Sequence, residues 1–160
     1  AGEYGGTPLA EALPVAIAAA DDRVNCAQPC LVEKLCDHPI VAGLPLDRPP
    51  GIGGYNRLTA RAEATTILAA RHFAVSRAAD GSYAFAKGEA APLLVVGAFG
   101  RGRTAAFASD VAPHWVGGLV DWGDGRVAAR APQPEAGDVE VGSWYARLFT
   151  NLVRWTAGMS

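Results

Sequence analysis

This 160-residue chain contains three cysteines and a nearby histidine, which are residue types that can bind a metal ion. Cys26, Cys30, Cys36 and His38 are spaced C-x3-C-x5-C-x-H, and thiolates with an imidazole can fill the four positions around a zinc ion. Zinc sites usually pair their ligands as C-x2-C or C-x4-C, with a second pair far along the chain. Because that layout is absent, the spacing predicts no metal and no cofactor. Buried thiols that act as small apolar side chains are the simpler interpretation.

Three further groups contain residue types that could bind or act on a ligand. The glycine-rich segment Gly97–Arg103 looks like a phosphate loop, but a phosphate loop opens a helix and this segment leads into a strand. Asp21 and Asp22 are adjacent, so on an extended segment their carboxylates point in opposite directions rather than across a cleft. Trp115 and Trp122 flank a glycine-rich loop and are candidates for contacting a partner.

A β-hairpin is the clearest element that could position such residues. Two apolar runs, Pro92–Phe99 and Arg103–Ala108, are joined by Gly-Arg-Gly, which is the pattern of two strands and a tight turn. Neither run alternates apolar with polar residues, so we expect both faces of its sheet to be covered.

Local sequence patterns also predict a helix and several short strands. A final amphipathic helix is expected after Ser143, which would cap it, with Tyr145 and Leu148 on its apolar stripe. Short strands are predicted at residues 15–18, 55–60 and 64–70. Residues 19–36 are expected to be irregular, because Pro29 and scattered polar residues interrupt them. Residues 117–142 are rich in glycine, proline and acidic residues, and we expect them to form a long excursion across the surface.

Composition narrows the classes of function. The chain has a formal net charge of −2, whereas nucleic-acid-binding proteins normally present a basic surface, so no nucleic-acid partner is expected. Its apolar runs are too short to span a bilayer, and its first residues show neither a basic segment nor an apolar signal core. An odd number of cysteines does not suggest a disulfide framework. We therefore expect a cytoplasmic protein with no membrane partner.

Several segments of the chain resemble the glutamine amidotransferase-like family of the class I fold. The most specific one contains Gly-Arg-Gly-Arg at 100–103 followed by Ser-Asp-x-x-Pro-His-Trp at 109–115. Further matching segments, in the same order as in the family, lie at residues 4–15, 37–45, 54–56 (Gly-Tyr-Asn) and 144–158.

This resemblance implies an α/β fold, a three-layer sandwich with a flavodoxin-like core. Residues 1–160 would form a single domain that covers mainly the carboxy-terminal half of that fold and lacks its amino-terminal βα units. In amidotransferases the amino-terminal half supplies the nucleophile, on a Gly-x-Cys-x-Gly turn, and this sequence contains no such turn. The resemblance therefore implies a nucleophile that comes from upstream sequence or from another chain.

His114 and Asp110 are the catalytic residues that the resemblance implies. In class I amidotransferases a histidine just beyond a late strand takes the thiol proton, and an acid two residues later fixes its tautomer. His114 follows the predicted strand Arg103–Ala108, but residue 116 is valine, so Asp110 would have to orient the imidazole. The alternative is a rigid Pro113-His114-Trp115 loop whose side chains pack and hydrogen-bond locally.

Three functional hypotheses result. The first is a glutamine amidotransferase-like domain that would catalyse amide hydrolysis or transfer with His114 as base. The second is a catalytically degenerate binding or assembly module, and the third is a redox or metal function of the cysteine cluster. A sheet without its amino-terminal strands would expose a long apolar edge. We therefore expect either a homo-oligomer or a second polypeptide that supplies the missing half.

Overall fold

The structure is a computed structural model that describes residues 4–18, 20–111, 113–129 and 137–159. Its helices are α1 (Pro8–Ala12), α2 (Pro113–Val116) and α3 (Ser143–Thr156), with 3-10 turns at Pro39–Val41 and Gly117–Leu119. Its strands are β1 (Val15–Ala16), β2 (Arg23–Asn25), β3 (Cys30–Lys34), β4 (Gly54–Asn56), β5 (Thr59–Ala60), β6 (Thr65–Arg77), β7 (Tyr83–Phe99), β8 (Gly102–Phe107), β9 (Arg126–Ala129) and β10 (Val139–Gly142). None of the described helices combines the length and apolar character that crossing a membrane requires.

The largest sheet is antiparallel throughout, with its four strands in the order β3–β6–β7–β8. The turn between β6 and β7 is tight, and the Asp80 carboxylate accepts hydrogen bonds from both the N–H and the hydroxyl of Ser82. Gly81 has a φ of +87°, a conformation that side chains disfavour. The predicted hairpin is confirmed, because β7 pairs with β8 across the Gly-Arg-Gly segment.

The expected three-layer α/β sandwich with a flavodoxin-like core is wrong. The sheet is curled and antiparallel, and among the described helices only α3 exceeds five residues, so helical layers do not flank both faces. The connections explain the difference. Parallel neighbours need a crossover of about a dozen residues or more, whereas β6, β7 and β8 are joined by tight turns. Links this short allow β6, β7 and β8 to pair only as antiparallel neighbours, which is incompatible with the parallel sheet of a flavodoxin-like core.

The apolar core is centred on β6 and β7. Ile67–Ala70 and Leu93–Val96 are runs of consecutive buried residues. Since neighbouring residues of a strand face opposite sides, both faces of the sheet are covered there, as the lack of alternation predicted. α3 packs against β8 and the 3-10 turn Pro39–Val41, and the rings of Phe107 and Phe149 meet edge to face at 5.3 Å.

The final helix is confirmed, but its predicted cap is not. Tyr145 and Leu148, on the predicted stripe, are buried. The N-cap is Gly142, where a Cβ would collide with the carbonyl of Trp122. The hydroxyl of Ser143 donates to the Asp124 carboxylate at 3.1 Å instead of capping the helix.

Within the described ranges, three antiparallel strand pairs lie outside the main sheet, namely β1–β5, β2–β4 and β9–β10. The expectation of irregular structure in 19–36 is wrong at β2 and β3, and the excursion at 117–142 contains β9 and β10. These strands are short, and β2 and β3 pair with segments far along the chain. Local sequence patterns do not reveal such pairings.

The far part of the β6–β7 hairpin projects from the sheet. We call residues 74–87 the hairpin arm. Here β6 and β7 pair only with each other, since the β3 pairing ends at His72 and the β8 pairing begins at Leu94. Tyr83 and Phe85 on the arm are each 63% exposed. The arm is thus a two-stranded ribbon with unpaired outer edges and exposed aromatic rings.

Candidate functional site

Two of the segments that suggested a family, 54–56 and 100–115, meet at the end of β8. The Ser109 hydroxyl donates a hydrogen bond to the Gly54 carbonyl at 2.8 Å. The Gly53 N–H donates to the Trp115 carbonyl at 2.7 Å. These bonds fasten the loop after β8, together with α2, onto β4, and we call this contact the β4–α2 junction.

Trp115 fills the β4–α2 junction. Its side chain is 7% exposed, and its indole N–H donates to the Asn25 Oδ1 at 2.8 Å. The indole fits because residue 54 is glycine, where a Cβ would lie 2.6 Å from two indole atoms and 2.7 Å from the Val24 carbonyl oxygen. Trp122 is also 7% exposed. Because both indoles are buried within the chain, their interpretation as partner-contacting residues is wrong.

His114 and Asp110 lie beside each other at the surface of this junction. The His114 Nδ1 is 3.7 Å from the Asp110 Oδ2, and the two side chains are 79% and 37% exposed. This separation exceeds that of a hydrogen bond, so the carboxylate faces the imidazole without fixing its tautomer. The His114 ring also lies 5.8 Å from the Trp115 ring, centroid to centroid. The base and orienter roles stay predictions.

A hollow of about 350 Å³ opens beside the junction. Polar side chains of Asp22, Asn56 and Ser109 line it, together with apolar side chains that include Leu58 and Phe107. The side-chain amide of Asn56 donates to the Asp22 carboxylate. Neither member of the histidine–aspartate pair lines this hollow, and a larger groove of about 510 Å³ lies away from the junction, on the β3 side of the sheet.

The C-x3-C-x5-C-x-H residues do not assemble as one group. The Cys36 Sγ lies 3.8 Å from the Thr66 carbonyl, and His38 caps the 3-10 turn by accepting from the Ile40 N–H at 3.3 Å.

Cys26 and Cys30 lie beside His72 instead. The potential ligand atoms of these three residues all lie within 4.8 Å of one another. These three residues could hold a metal ion. Sequence spacing misses His72, since only the pairing of β3 with β6 places it opposite Cys30.

Comparison with known protein families shows which family the chain belongs to. Residues 1–128 match the family described as "Putative glutamine amidotransferase". The chain belongs to this family. No curated protein sequence matches it.

Two solved structures resemble this glutamine amidotransferase-like chain. Cytoplasmic Protein STM3548 from Salmonella typhimurium is 28% identical with a TM-score of 0.63, and the match covers 96% of this chain and 47% of that protein. Cytoplasmic Protein STM1381 from Salmonella typhimurium LT2 is 31% identical with a TM-score of 0.53, covering 71% of this chain and 38% of that one. The amidotransferase-like chain thus spans less than half the length of either structure.

The thiols of Cys26 and Cys30 are poor candidates for the nucleophile of this amidotransferase-like chain. Burial, and then the adjacent Cys26 sulfur, raise the pKa of Cys30 to about 12. Burial also raises the pKa of Cys26, partly offset by its hydrogen bond with Cys30. A thiol attacks as the thiolate, so both residues are protonated and unreactive at neutral pH when no ion is bound.

Proposed function

We propose that this chain contributes the general base to an amide-cleaving site of a glutamine amidotransferase-like protein, with His114 as base and Asp110 as its orienter. The observation that supports this proposal is the distance of 3.7 Å between the His114 Nδ1 and the Asp110 Oδ2 at the end of β8. His114 is 79% exposed, so its other ring nitrogen is accessible to a substrate or to another segment. Closing the pair to hydrogen-bond distance needs a movement of less than about 1 Å, and catalytic hydrogen bonds are often long before substrate binds.

The proposed reaction needs a cysteine thiol from another segment or polypeptide. His114 takes the thiol proton, the thiolate attacks the amide carbon, and the carbon–nitrogen bond breaks as the imidazolium returns the proton to the leaving ammonia. Water then hydrolyses the thioester and frees the thiol, while the ammonia is either released or passed to an acceptor. Asp110 holds the imidazole in the productive tautomer and stabilises its charged form.

The test is glutaminase turnover by the full-length protein. We expect His114→Ala to lower kcat by about 10²–10⁴-fold, the usual contribution of a general base. Asp110→Asn should lower it less, by about tenfold, because this carboxylate is only partly buried and lies 3.7 Å from the imidazole. Asp47→Asn is the matched control, since Asp47 is an exposed acid that lines the remote groove. Unchanged turnover in a folded His114→Ala variant would remove the base role.

A catalytically degenerate binding or assembly module is the second candidate, and the hairpin arm favours it. Its unpaired edges and its exposed Tyr83 and Phe85 suit docking to a second copy or to a polypeptide that supplies further strands. Native mass spectrometry of the full-length protein, with Tyr83→Ser and Phe85→Ser combined, tests this. A complex weakened by the double variant supports the module, and a protein that is monomeric and without a partner at every concentration argues against it.

The proposed compartment is the cytoplasm. The two solved structures compared above are described as cytoplasmic proteins, and three cysteines that form no disulfide suit a reducing environment. Cell fractionation of the tagged full-length protein tests this, and recovery in a secreted fraction would contradict it.

A further inference from the structure

Three elements bring the side chains of Cys26, Cys30 and His72 together. Cys26 follows β2, Cys30 begins β3, and His72 is the residue of β6 that pairs with Cys30. The backbone on either side is tied to the segment before β4, because the Cys26 N–H donates to the Gly53 carbonyl and the Ile52 N–H donates to the Cys30 carbonyl, each at 2.9 Å. Paired strands and these two hydrogen bonds therefore fix the backbone of the cluster.

We propose that Cys26, Cys30 and His72 form a binding site for a thiophilic divalent ion of the zinc type. Two thiolates and an imidazole are donors that zinc prefers, whereas calcium and magnesium prefer oxygen ligands. In a tetrahedral shell with zinc–sulfur bonds of about 2.3 Å, neighbouring sulfurs lie about 3.8 Å apart. The potential ligand atoms here lie within 4.8 Å of one another, so contraction by about 1 Å closes the shell.

Tyr55 serves this site as a positioning residue. Its hydroxyl lies 2.8 Å from the His72 Nε2, and its side chain is only 3% exposed. Outer partners of metal-binding histidines fix the ring orientation, and their loss typically weakens metal affinity about 10–100-fold. Tyr55 belongs to the Gly-Tyr-Asn segment, so the site and the β4–α2 junction share β4.

The fourth position of the shell is left to solvent or to an exogenous ligand. Three protein donors with one open position are the arrangement of catalytic rather than structural zinc sites. Cys30 is 1% exposed, whereas Cys26 and His72 are only half-buried, so an ion can reach the cluster from their side.

A disulfide between Cys26 and Cys30 is the competing use of the two sulfurs. It would leave His72 without a function in the cluster. A disulfide also gives no reason for the contact between the His72 imidazole and the Tyr55 hydroxyl. The convergence of three donors of the types that zinc prefers therefore favours the ion.

Titration of the reduced, metal-free full-length protein with Co²⁺, followed by Zn²⁺ competition, tests the site. We expect near-stoichiometric Co²⁺ binding, intense visible bands of tetrahedral cobalt, near-ultraviolet thiolate-to-cobalt absorption, and displacement by Zn²⁺. Cys26→Ser and His72→Gln should each weaken affinity at least about tenfold, and Tyr55→Phe about 10–100-fold. Cys36→Ser is the matched control, because Cys36 lies by the Thr66 carbonyl rather than in the cluster, and it should bind like the unaltered protein.

The half-buried Cys26 and His72 are chosen as test positions because substitution of the buried Cys30 also perturbs the core. Absence of thiolate-to-cobalt absorption in the folded protein would overturn the proposal. So would equal affinity of Cys26→Ser and the Cys36→Ser control, or the loss of two titratable thiols as a Cys26–Cys30 disulfide in protein purified under reducing conditions.

Discussion

Substitution of Gly54 by alanine tests the rigidity of the β4–α2 junction. The new Cβ would lie 2.6 Å from the indole of Trp115 and 2.7 Å from the Val24 carbonyl. The carbonyl cannot move freely, because β2 and β4 are paired at Val24↔Tyr55 and Asn25↔Gly54. Trp115 must therefore shift, and its indole hydrogen bond to the Asn25 side chain is stretched or lost.

The expected cost follows from these contacts. Overpacking of a well-filled site costs about 1–3 kcal/mol. The weakened indole hydrogen bond adds about 0.5–1.5 kcal/mol. Replacing glycine stabilises a protein by about 0.4–1 kcal/mol through the unfolded chain, which offsets part of this cost. The net loss of unfolding free energy is about 0.5–4 kcal/mol, centred near 2 kcal/mol, and for a chain of this size each kcal/mol lowers the Tm by roughly 2–4 °C.

Urea unfolding and near-ultraviolet circular dichroism of the tryptophans measure this effect. Gly125→Ala is the control, since nothing lies within 4 Å of a Cβ at that exposed position, and it should change the unfolding free energy by less than about 0.5 kcal/mol. If Gly54→Ala behaves like Gly125→Ala, the indole moves aside at little cost and the junction does not hold α2 rigidly.

Three further predictions concern the scaffold. Leu148 is 2% exposed on α3, so Leu148→Ala should lower the unfolding free energy by about 2–5 kcal/mol in urea denaturation. Gly43 has a φ of +69°, and Gly43→Ala should cost about 1–2 kcal/mol in the same assay. The Arg71 guanidinium, and then the Lys87 ammonium, hold the pKa of Glu33 below its ordinary value of 4.5. Glu33 therefore stabilises the fold above pH 4.5, and this contribution is lost as the pH falls through the lower folded-state pKa. Glu33→Gln should remove about 1 kcal/mol or less at pH 7 and flatten the pH dependence of Tm below pH 4.5.

The elements predictable from sequence are those with a strong local pattern, and β9 and β10 lack one although they pair with each other close along the chain. The β7–β8 hairpin is encoded by two apolar runs and a glycine turn, and the stripe with Tyr145 and Leu148 encodes α3. β2 and β3 were missed because their pairing partners, β4 and β6, lie far along the chain. The resemblance implies the wrong sheet class, because the tight turns after β6 and β7 make β6, β7 and β8 antiparallel neighbours.

The candidate sites were predictable in part for the same reason. His114 lies four positions after Asp110, and the structure places their side chains beside each other. The cysteine pair was visible in the sequence, but its third member was not. His72 lies within an otherwise β-like run, and only the β3–β6 register brings it to Cys30. Gly54 gave no signal of its own, because its importance is the space that it leaves for Trp115.

The turn between β6 and β7 also bears on the order of folding. Its hairpin pairs residues close in sequence, and such hairpins form in about 1–10 μs. By contrast, α3 docks through contacts such as the Asn151 side chain to the Ile40 carbonyl, which join residues 111 positions apart. The entropy of closing so long a loop delays that step. We expect pulse-labelled hydrogen exchange to protect β6 and β7 amides before those of α3. The folding chain would then pass through a stage in which the apolar face awaiting α3 is open to other molecules.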